Sequence, residues 1–292
     1  MDLISVDIVI PIYKGKKYIE SLITSLRMQK KIVINKIIFA ITDSEDSETQ
    51  YAVDYANKNN IIFFIEEKKN FSHSLTRQKA IIDYCSSNIV VMISQDVKIF
   101  ENDVIYNLVK PINDEECVYS YARQICSNRT IEKYIREKNY PSDSYVVSSS
   151  DVEKMQIMAF FASDACSAYN REVFILLGGY GGYDVMMGED MLYSKIILDA
   201  GYKKKYCANA IVEHSHKYSL KQLYDRYYET GVFHSKVKVF NEYKSTDSGI
   251  KLALYVLSRA LKKVDIPVIF RWLPDMTARY LGMKKGKKRG TK

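Results

Sequence analysis

Short, wholly apolar runs recur along the first half of the chain. Between them, apolar residues return at the spacing of one helical face. Val6-Asp7-Ile8-Val9-Ile10 is a β-branched run that stops at Pro11, and Ile19, Leu22, Ile23 and Leu26 then share a helical face. Ile37 to Ile41 predicts a second strand with a polar end, Thr42 to Ser47, and 48–58 a helix. Ile61 to Ile65 predicts a third strand, 74–85 a helix with Leu75, Ile81, Ile82 and Cys85 inward, and Ile89 to Ile93 a fourth strand ending in Ser94-Gln95-Asp96. A helix near 102–109 and a strand near 117–122 follow. Residues 123–155 are polar and irregular, with Pro141 and Ser148-Ser149-Ser150, and read as a mobile loop or lid over the site. Gly178-Gly179-Tyr180-Gly181-Gly182 is a turn without dinucleotide-binding spacing. Glu189-Asp190 opens a helix that ends near Ala200 and Gly201. Ala210-Ile211-Val212 predicts a strand, with His214-Ser215-His216 directly after it.

Strands this uniformly apolar are buried on both faces, so the fold class is α/β, a mostly parallel, Rossmann-like sheet flanked by helices. In open sheets of this kind the ligand sits beyond the carboxyl ends of the strands. Tyr13, Asp43 and Asp96 stand at three such ends.

The 292 residues, 47% hydrophobic and 27% charged, fit a globular chain with a sizeable core. The 24 Tyr serve either a core or a surface for amphipathic ligands. The five Cys have wide spacings and no CxxC pair, which excludes a disulfide scaffold or zinc ribbon and reads as reduced core thiols. No apolar run is long enough to span a bilayer, and the start lacks a signal-peptide pattern, so the expected location is cytoplasmic. The formal charge is +8, and residues 251–292 hold 12 Lys/Arg against 2 Asp/Glu. The body is therefore close to neutral. A nucleic-acid enzyme would spread basic charge over a binding face, so nucleic acid is not the expected partner. On a helical wheel of 250–264, Ala253, Val256, Leu257, Ala260, Leu261 and Val264 face one side, and Lys251, Arg259, Lys262 and Lys263 the other. With the tail Lys284, Lys285, Lys287, Lys288, Arg289 and Lys292, this predicts an anchor on an anionic membrane surface. Packing on the body fits the same periodicity.

Three groups of residues can carry chemistry. Asp96 can hold a divalent cation against a diphosphate, or cap the helix that follows. Asp190, beside Glu189, can act as a base, or complement a helix dipole. His214 and His216 can ligate metal, or be ordinary loop residues.

The segments together resemble the family 2 glycosyltransferases of GT-A fold, and among them the bacterial rhamnosyltransferase branch. Val9-Ile10-Pro11-Ile12-Tyr13 resembles the opening strand with its nucleotide-contacting end, and Asp43-Ser44-Glu45-Asp46-Ser47 the acidic stretch that reads the base. Phe71-Ser72-His73-Ser74-Leu75-Thr76-Arg77 is similar to the family's Phe-Asn-His-Gly-Gly-Thr-Arg. Ser94-Gln95-Asp96-Val97 stands where relatives have Asp-x-Asp, with Gln95 for the first Asp. Gly188-Glu189-Asp190 resembles the acceptor-side motif. Tyr206 to His216, Arg226 to His234, and Ala278 to Gly282 resemble the branch's C-terminal signatures.

The resemblance implies an inverting glycosyltransferase with Asp190 as catalytic base. Pro11, Tyr13, Asp43, His73, Arg77, Gln95 and Asp96 would bind the donor, and Glu189 and Asp164 the acceptor. Asp96 and His214 would hold Mg²⁺ or Mn²⁺. The implied donor is dTDP-L-rhamnose, with a UDP-sugar as the alternative. The implied acceptor is a lipid-linked glycan of a capsular or cell-wall polysaccharide, met at the inner face of the cell membrane. A non-catalytic sugar-nucleotide-binding scaffold is the alternative of another class. The expected organisation is a GT-A catalytic domain over 1–240, with a nucleotide half to about 122 and an acceptor half over about 156–240. A helical, membrane-associating extension over 241–292 would follow. Homodimerisation through that extension stays open.

Overall fold

The computed structural model describes residues 3–243 and 246–289; Met1, Asp2 and Lys292 of the tail lie outside the described residues. The chain alternates strand and helix as β1 (Ile4–Ile12), α1 (Lys16–Arg27), β2 (Ile32–Thr42), α2 (Ser47–Lys58), β3 (Ile62–Glu66), α3 (His73–Lys79), β4 (Ile89–Ile93), α4 (Val104–Asn113) and β5 (Tyr119–Ile125). Next come α5 (Ile131–Asn139), β6 (Tyr145–Val147), α6 (Val152–Met155), β7 (Cys166–Asn170), α7 (Arg171–Leu176), α8 (Glu189–Asp199) and β8 (Lys204–Glu213). Three helices close the chain: α9 (Leu220–Lys236), α10 (Thr246–Lys262) and α11 (Ile266–Arg289).

The described strands form one sheet of order β3-β2-β1-β4-β7-β5-β8-β6. β1 pairs parallel with β2 and β4, β2 with β3, and β5 with β8. β7 runs antiparallel between β4 and β5, and β6 is antiparallel on β8. The carboxyl ends of β1, β2, β3, β4, β5 and β8 therefore share one edge. Helices cover both faces. Ile8 and Ile10 meet Leu22, Ile23, Val104 and Leu108 on one side, while Val9, Val90 and Met92 meet Ile81, Tyr169 and Tyr193 on the other. Seven tyrosines are wholly buried, so much of the tyrosine usage is core. All five Cys are buried and free, as expected.

Two expectations are corrected. Residues 123–155 carry the end of β5, then α5, β6 and the start of the helical turns that follow, rather than an irregular loop. Ile131, Tyr134 and Ile135 of α5 pack on Val256, Ala260 and Val268, and a local window cannot see partners more than a hundred residues downstream. The same contact redraws the tail, because Val256 and Ala260 face the body. α11 then runs along α9 with the backbones nearly touching. A Cβ on Gly286 would strike the Tyr228 carbonyl, and one on Gly231 would lie 2.8 Å from the Lys287 nitrogen. Among the described residues no helix is long and apolar enough to cross a membrane.

Candidate active site

The shared strand edge gathers the candidate residues. At the end of β4, Ser94 N–H donates to Ala165 O at 2.9 Å, which brings the start of β7 against the Gln95-Asp96 turn. Lys98 and Glu213 exchange two backbone hydrogen bonds, each 2.9 Å, which ties that turn to the end of β8. Asp96 and the two histidines meet for that reason.

Asp96, His214 and His216 form a compact triad whose possible ligand atoms lie within 4.8 Å of one another. His214 Nε2 is 3.5 Å from Asp96 Oδ1, and His216 Nε2 is 3.6 Å from Oδ2. The two Nε2 atoms are 2.8 Å apart. Gln124 Oε1 lies 3.0 Å from His214 Nδ1 and can hold that nitrogen as the donor, leaving Nε2 for the triad. Tyr218 stacks on His216 with ring centroids 5.1 Å apart. Burial and the neighbouring His214 lower the His216 pKa to about 4, so the ring is neutral and able to ligate. Burial raises the Asp96 pKa, but the hydrogen bond and charge of His214 outweigh it and hold the carboxyl below its ordinary value. Asp96 does not cap the next helix; Asp103 occupies that position. The sequence expectation named His214 beside Asp96, and the geometry adds His216. Two imidazoles and a carboxylate fit a divalent transition ion better than Mg²⁺, which prefers oxygen.

Tyr13, 38% exposed, stands at the end of β1 with Lys14 and Lys68 within 6 Å of its ring. Pro11, half-buried, is the next-to-last residue of β1 and pairs in register with Ala40. Asp43, at the end of β2, accepts from Glu45 N–H through one carboxylate oxygen. Gln95 is placed differently from a free donor ligand, because both ends of its amide hold the Tyr13 backbone.

His73 opens α3, whose N-cap Ser72 accepts from Leu75 N–H. Ser72 and Ser74, at positions where the resembled segment has Asn and Gly, tie this helix to the glycine-rich turn. Ser74 Oγ donates to Tyr183 O at 2.6 Å and accepts from Val185 N–H at 3.0 Å. Arg77 Nη1 donates to His73 Nδ1 and lies 3.2 Å from Glu189 Oε1. Burial and the Arg77 charge lower the His73 pKa to about 3. With Nδ1 accepting, the ring is neutral and its proton sits on Nε2, a fixed donor.

Asp190 lies in the first turn of α8 and is half-buried, and its Oδ1 accepts from Met191 N–H at 2.7 Å. Burial first, then the carboxylates of Glu189 and Asp164, raise its pKa well above the usual range. A raised carboxyl makes a stronger base at neutral pH than an ordinary aspartate. Glu189 and Asp164, expected to touch the acceptor, are both buried. Glu189 is buried against Arg77, and Asp164, 2% exposed, accepts from Tyr119, Tyr169, Tyr180 and Ser167. The hydrogen-bonding capacity of Asp164 is spent inside the protein.

One residue was missed beyond its place in a signature segment. Arg226 of α9 is exposed, with its guanidinium 5.8 Å from the Tyr218 ring that stacks on His216. Its charge reaches both His73 and His216. No local pattern distinguishes it from other exposed arginines on a helix.

Residues 7–178 match the family model described as "Glycosyl transferase family 2". O-antigen chain rhamnosyltransferase RfbN of Salmonella typhimurium is 32% identical over 232 residues, 79% of this chain and 72% of that protein. O-antigen chain rhamnosyltransferase WbaN of Salmonella anatum is 33% identical over 204 residues, 69% and 63% of the two. The mannosyltransferase PcManGT of Pyrobaculum calidifontis, solved with GDP-Man and Mn²⁺, superposes with a TM-score of 0.62 at 15% identity, covering 98% of this chain and 86% of that one. S. aureus TarS 1–349 with UDP-GlcNAc gives 0.57 at 11% identity, covering 98% and 92%. At these identities the structural likeness is one of fold.

Proposed function

The chain belongs to glycosyl transferase family 2 and is a glycosyltransferase, and from that premise we propose that it transfers L-rhamnose from dTDP-L-rhamnose, with inversion, to a lipid-linked glycan at the cytoplasmic face of the membrane. The observation that carries the chemistry is the Asp96–His214–His216 triad on the strand edge that also bears Tyr13 and Asp43. The similarity to two O-antigen rhamnosyltransferases supports the sugar and the class of acceptor.

Asp190 accepts the proton of the acceptor hydroxyl as its oxygen bonds to the anomeric carbon. The bond from that carbon to the diphosphate oxygen breaks on the opposite face, and the nucleoside diphosphate leaves. Asp43 and Tyr13 orient the nucleotide, and the Nε2–H of His73 is a neutral donor toward the sugar or diphosphate. The fixed cation Arg226 offsets charge building on the leaving group. Asp96, His214 and His216 would hold a divalent ion, Mn²⁺ suiting the donor set, and such an ion neutralises phosphate charge when bound. Glu189 and Asp164 set the field and position of Asp190.

The test is turnover of a panel of dTDP-L-rhamnose, UDP-sugars and GDP-mannose, with Mn²⁺ or with chelator, reading nucleoside diphosphate release. Release from dTDP-L-rhamnose that chelation abolishes is expected. Release from a UDP-sugar alone would overturn the donor, and release indifferent to chelator would overturn the metal.

A further inference from the structure

We propose that the outward faces of α10 and α11 together form a docking surface for an anionic lipid bilayer, set on the side of these helices opposite their contact with α5. Leu254 and Leu261, seven residues or two turns apart on α10, and Ile266, Phe270 and Leu273, at steps of four and three on α11, each lie on one helical face. All five are exposed, Phe270 to 79%, as is Val264 at the corner between the helices, at 69%. The opposite faces are spent on the body, where Val256, Ala260 and Val268 pack on Ile131, Tyr134 and Ile135. The lipid-facing stripe keeps Leu261 and Val264 of the wheel's apolar side but not Val256 and Ala260, which are buried. Two exposed apolar stripes on adjacent helices exceed what scattered surface leucines would supply.

Charge identifies the occupant. Between 251 and 289 the acidic residues are Asp265 and Asp275, and both are buried. Asp265 accepts from Tyr134 OH at 2.9 Å, and Asp275 pairs with Arg279. Lys251, Lys262, Arg271, Lys284 and Lys285 are exposed. Over 251–289 the exposed charge is therefore of one sign, beside apolar stripes. A second copy would bring the same positive charge against itself. A bilayer with anionic headgroups satisfies both the apolar and the cationic parts. α11 also reaches the active site, since one cavity of about 320 Å³ is lined by His216 together with Pro267, Val268 and Arg271. A bilayer held by α11 would present a lipid-linked acceptor beside the metal triad, a consequence that rests on the proposed function, whereas the surface itself does not.

Flotation of the full chain with vesicles separates the two, because it needs no donor. Phosphatidylcholine vesicles containing about one-third phosphatidylglycerol should bind the wild type, and pure phosphatidylcholine much less. Leu261→Glu with Phe270→Glu should weaken binding at least tenfold. Lys262→Glu with Lys284→Glu and Lys285→Glu should do the same and remove its salt dependence. Leu176→Glu, at an exposed leucine on α7, should leave it unchanged. Thermal unfolding and nucleoside diphosphate release should match wild type in every variant. Wild-type vesicle binding by the Leu261/Phe270 variant, or equal binding to both vesicle types, would overturn the proposal. A wild-type dimer in solution that this variant converts to monomer would assign the face to self-association instead.

Discussion

The side-chain amide of Gln95 closes on the backbone of Tyr13 from both ends. Nε2 donates to the Tyr13 carbonyl at 2.7 Å, and Oε1 accepts from its N–H at 3.0 Å. The turns after β1 and β4 are thereby locked together at the strand edge where the nucleotide is expected. A carboxylate in place of Gln95 could not donate to the carbonyl. Gln95→Glu should cost about 0.5–1.5 kcal/mol locally, because the hydrogen bond to the solvent-accessible Tyr13 carbonyl is lost and a charge is set against it. The donor KM should rise about tenfold, the equivalent of 1.4 kcal/mol, with kcat less affected. Unchanged donor KM would mean that the clamp does not position the site.

The triad predicts cooperative metal binding by three side chains rather than two. His214→Ala and His216→Ala should each lower Mn²⁺ affinity at least tenfold, followed by the electron paramagnetic resonance signal of free Mn²⁺. Gln124→Ala, which frees Nδ1 of His214, should cost about 10–100-fold. If His216→Ala bound Mn²⁺ like the wild type, the second histidine would be a neighbour and not a ligand.

Asp190 has a pKa raised by burial and by two nearby carboxylates, with two consequences. As a base it must be ionised, so kcat/KM should fall as pH drops through its raised pKa, a limb lying above the ordinary aspartate value of about 4. Asp190→Asn should lower transfer about 10²–10⁴-fold and erase that limb, with donor binding retained. The sign for stability is opposite. The folded state favours the protonated acid, so this group's favourable contribution is lost as pH rises through the folded pKa. The Asn variant should therefore be more stable than wild type at neutral pH, with the gap closing in acid. Thermal melts at several pH values test this independently of activity.

The order of strands and helices through β5 was legible because parallel strands buried on both faces are continuous apolar runs. β7 was not, because Cys-Ser-Ala-Tyr-Asn reads as a loop until it is seen filling the gap between β4 and β5. Asp96 and His214 were found as polar groups beyond buried strands and through the resemblance. His216 carried a signal of its own, since residues two apart in extended chain share a face. The burial of Glu189 and Asp164 was hidden because their partners, Arg77 and three tyrosines, come from four separate segments. Exposed and buried carboxylates look alike in a sequence.

The close approach of α9 and α11 predicts where the C-terminal region is most sensitive. Gly231, Gly282 and Gly286 allow main chain to meet main chain, and a Cβ at Gly282 would collide with the Tyr224 carbonyl. Gly286→Val should push the helices apart and cost about 1–3 kcal/mol or more, as overpacking does. Gly249, whose Cβ position meets nothing within 4 Å, is the matched control. Gly249→Ala should be neutral or slightly stabilising, because alanine restricts the unfolded chain and favours the helix. Equal melting temperatures for the two variants would show that the interface accommodates side chains.

The buried pair of Arg77 and Glu189 couples stability to the state of His73. Both residues are at most 6% exposed, and they join α3 to α8 across the cleft. Glu189→Gln would take the paired counter-ion from the buried Arg77 and leave only the influence of Asp164, and breaking a buried pair typically costs about 3–5 kcal/mol. Removing both charges, as in Arg77→Met with Glu189→Leu, should recover part of that loss, the remainder reflecting the buried Asp164, which loses its cationic neighbour. The double variant would still lack the guanidinium that donates to His73 Nδ1. Its imidazole proton is then free to sit on either nitrogen, and the fixed Nε2–H donor is lost. The expected result is stability between that of Glu189→Gln and wild type with a raised donor KM, and ¹⁵N shifts showing a mixture of imidazole tautomers where the wild type shows one. A double variant that kept both the single tautomer and the donor KM would confine the pair to holding the helices together.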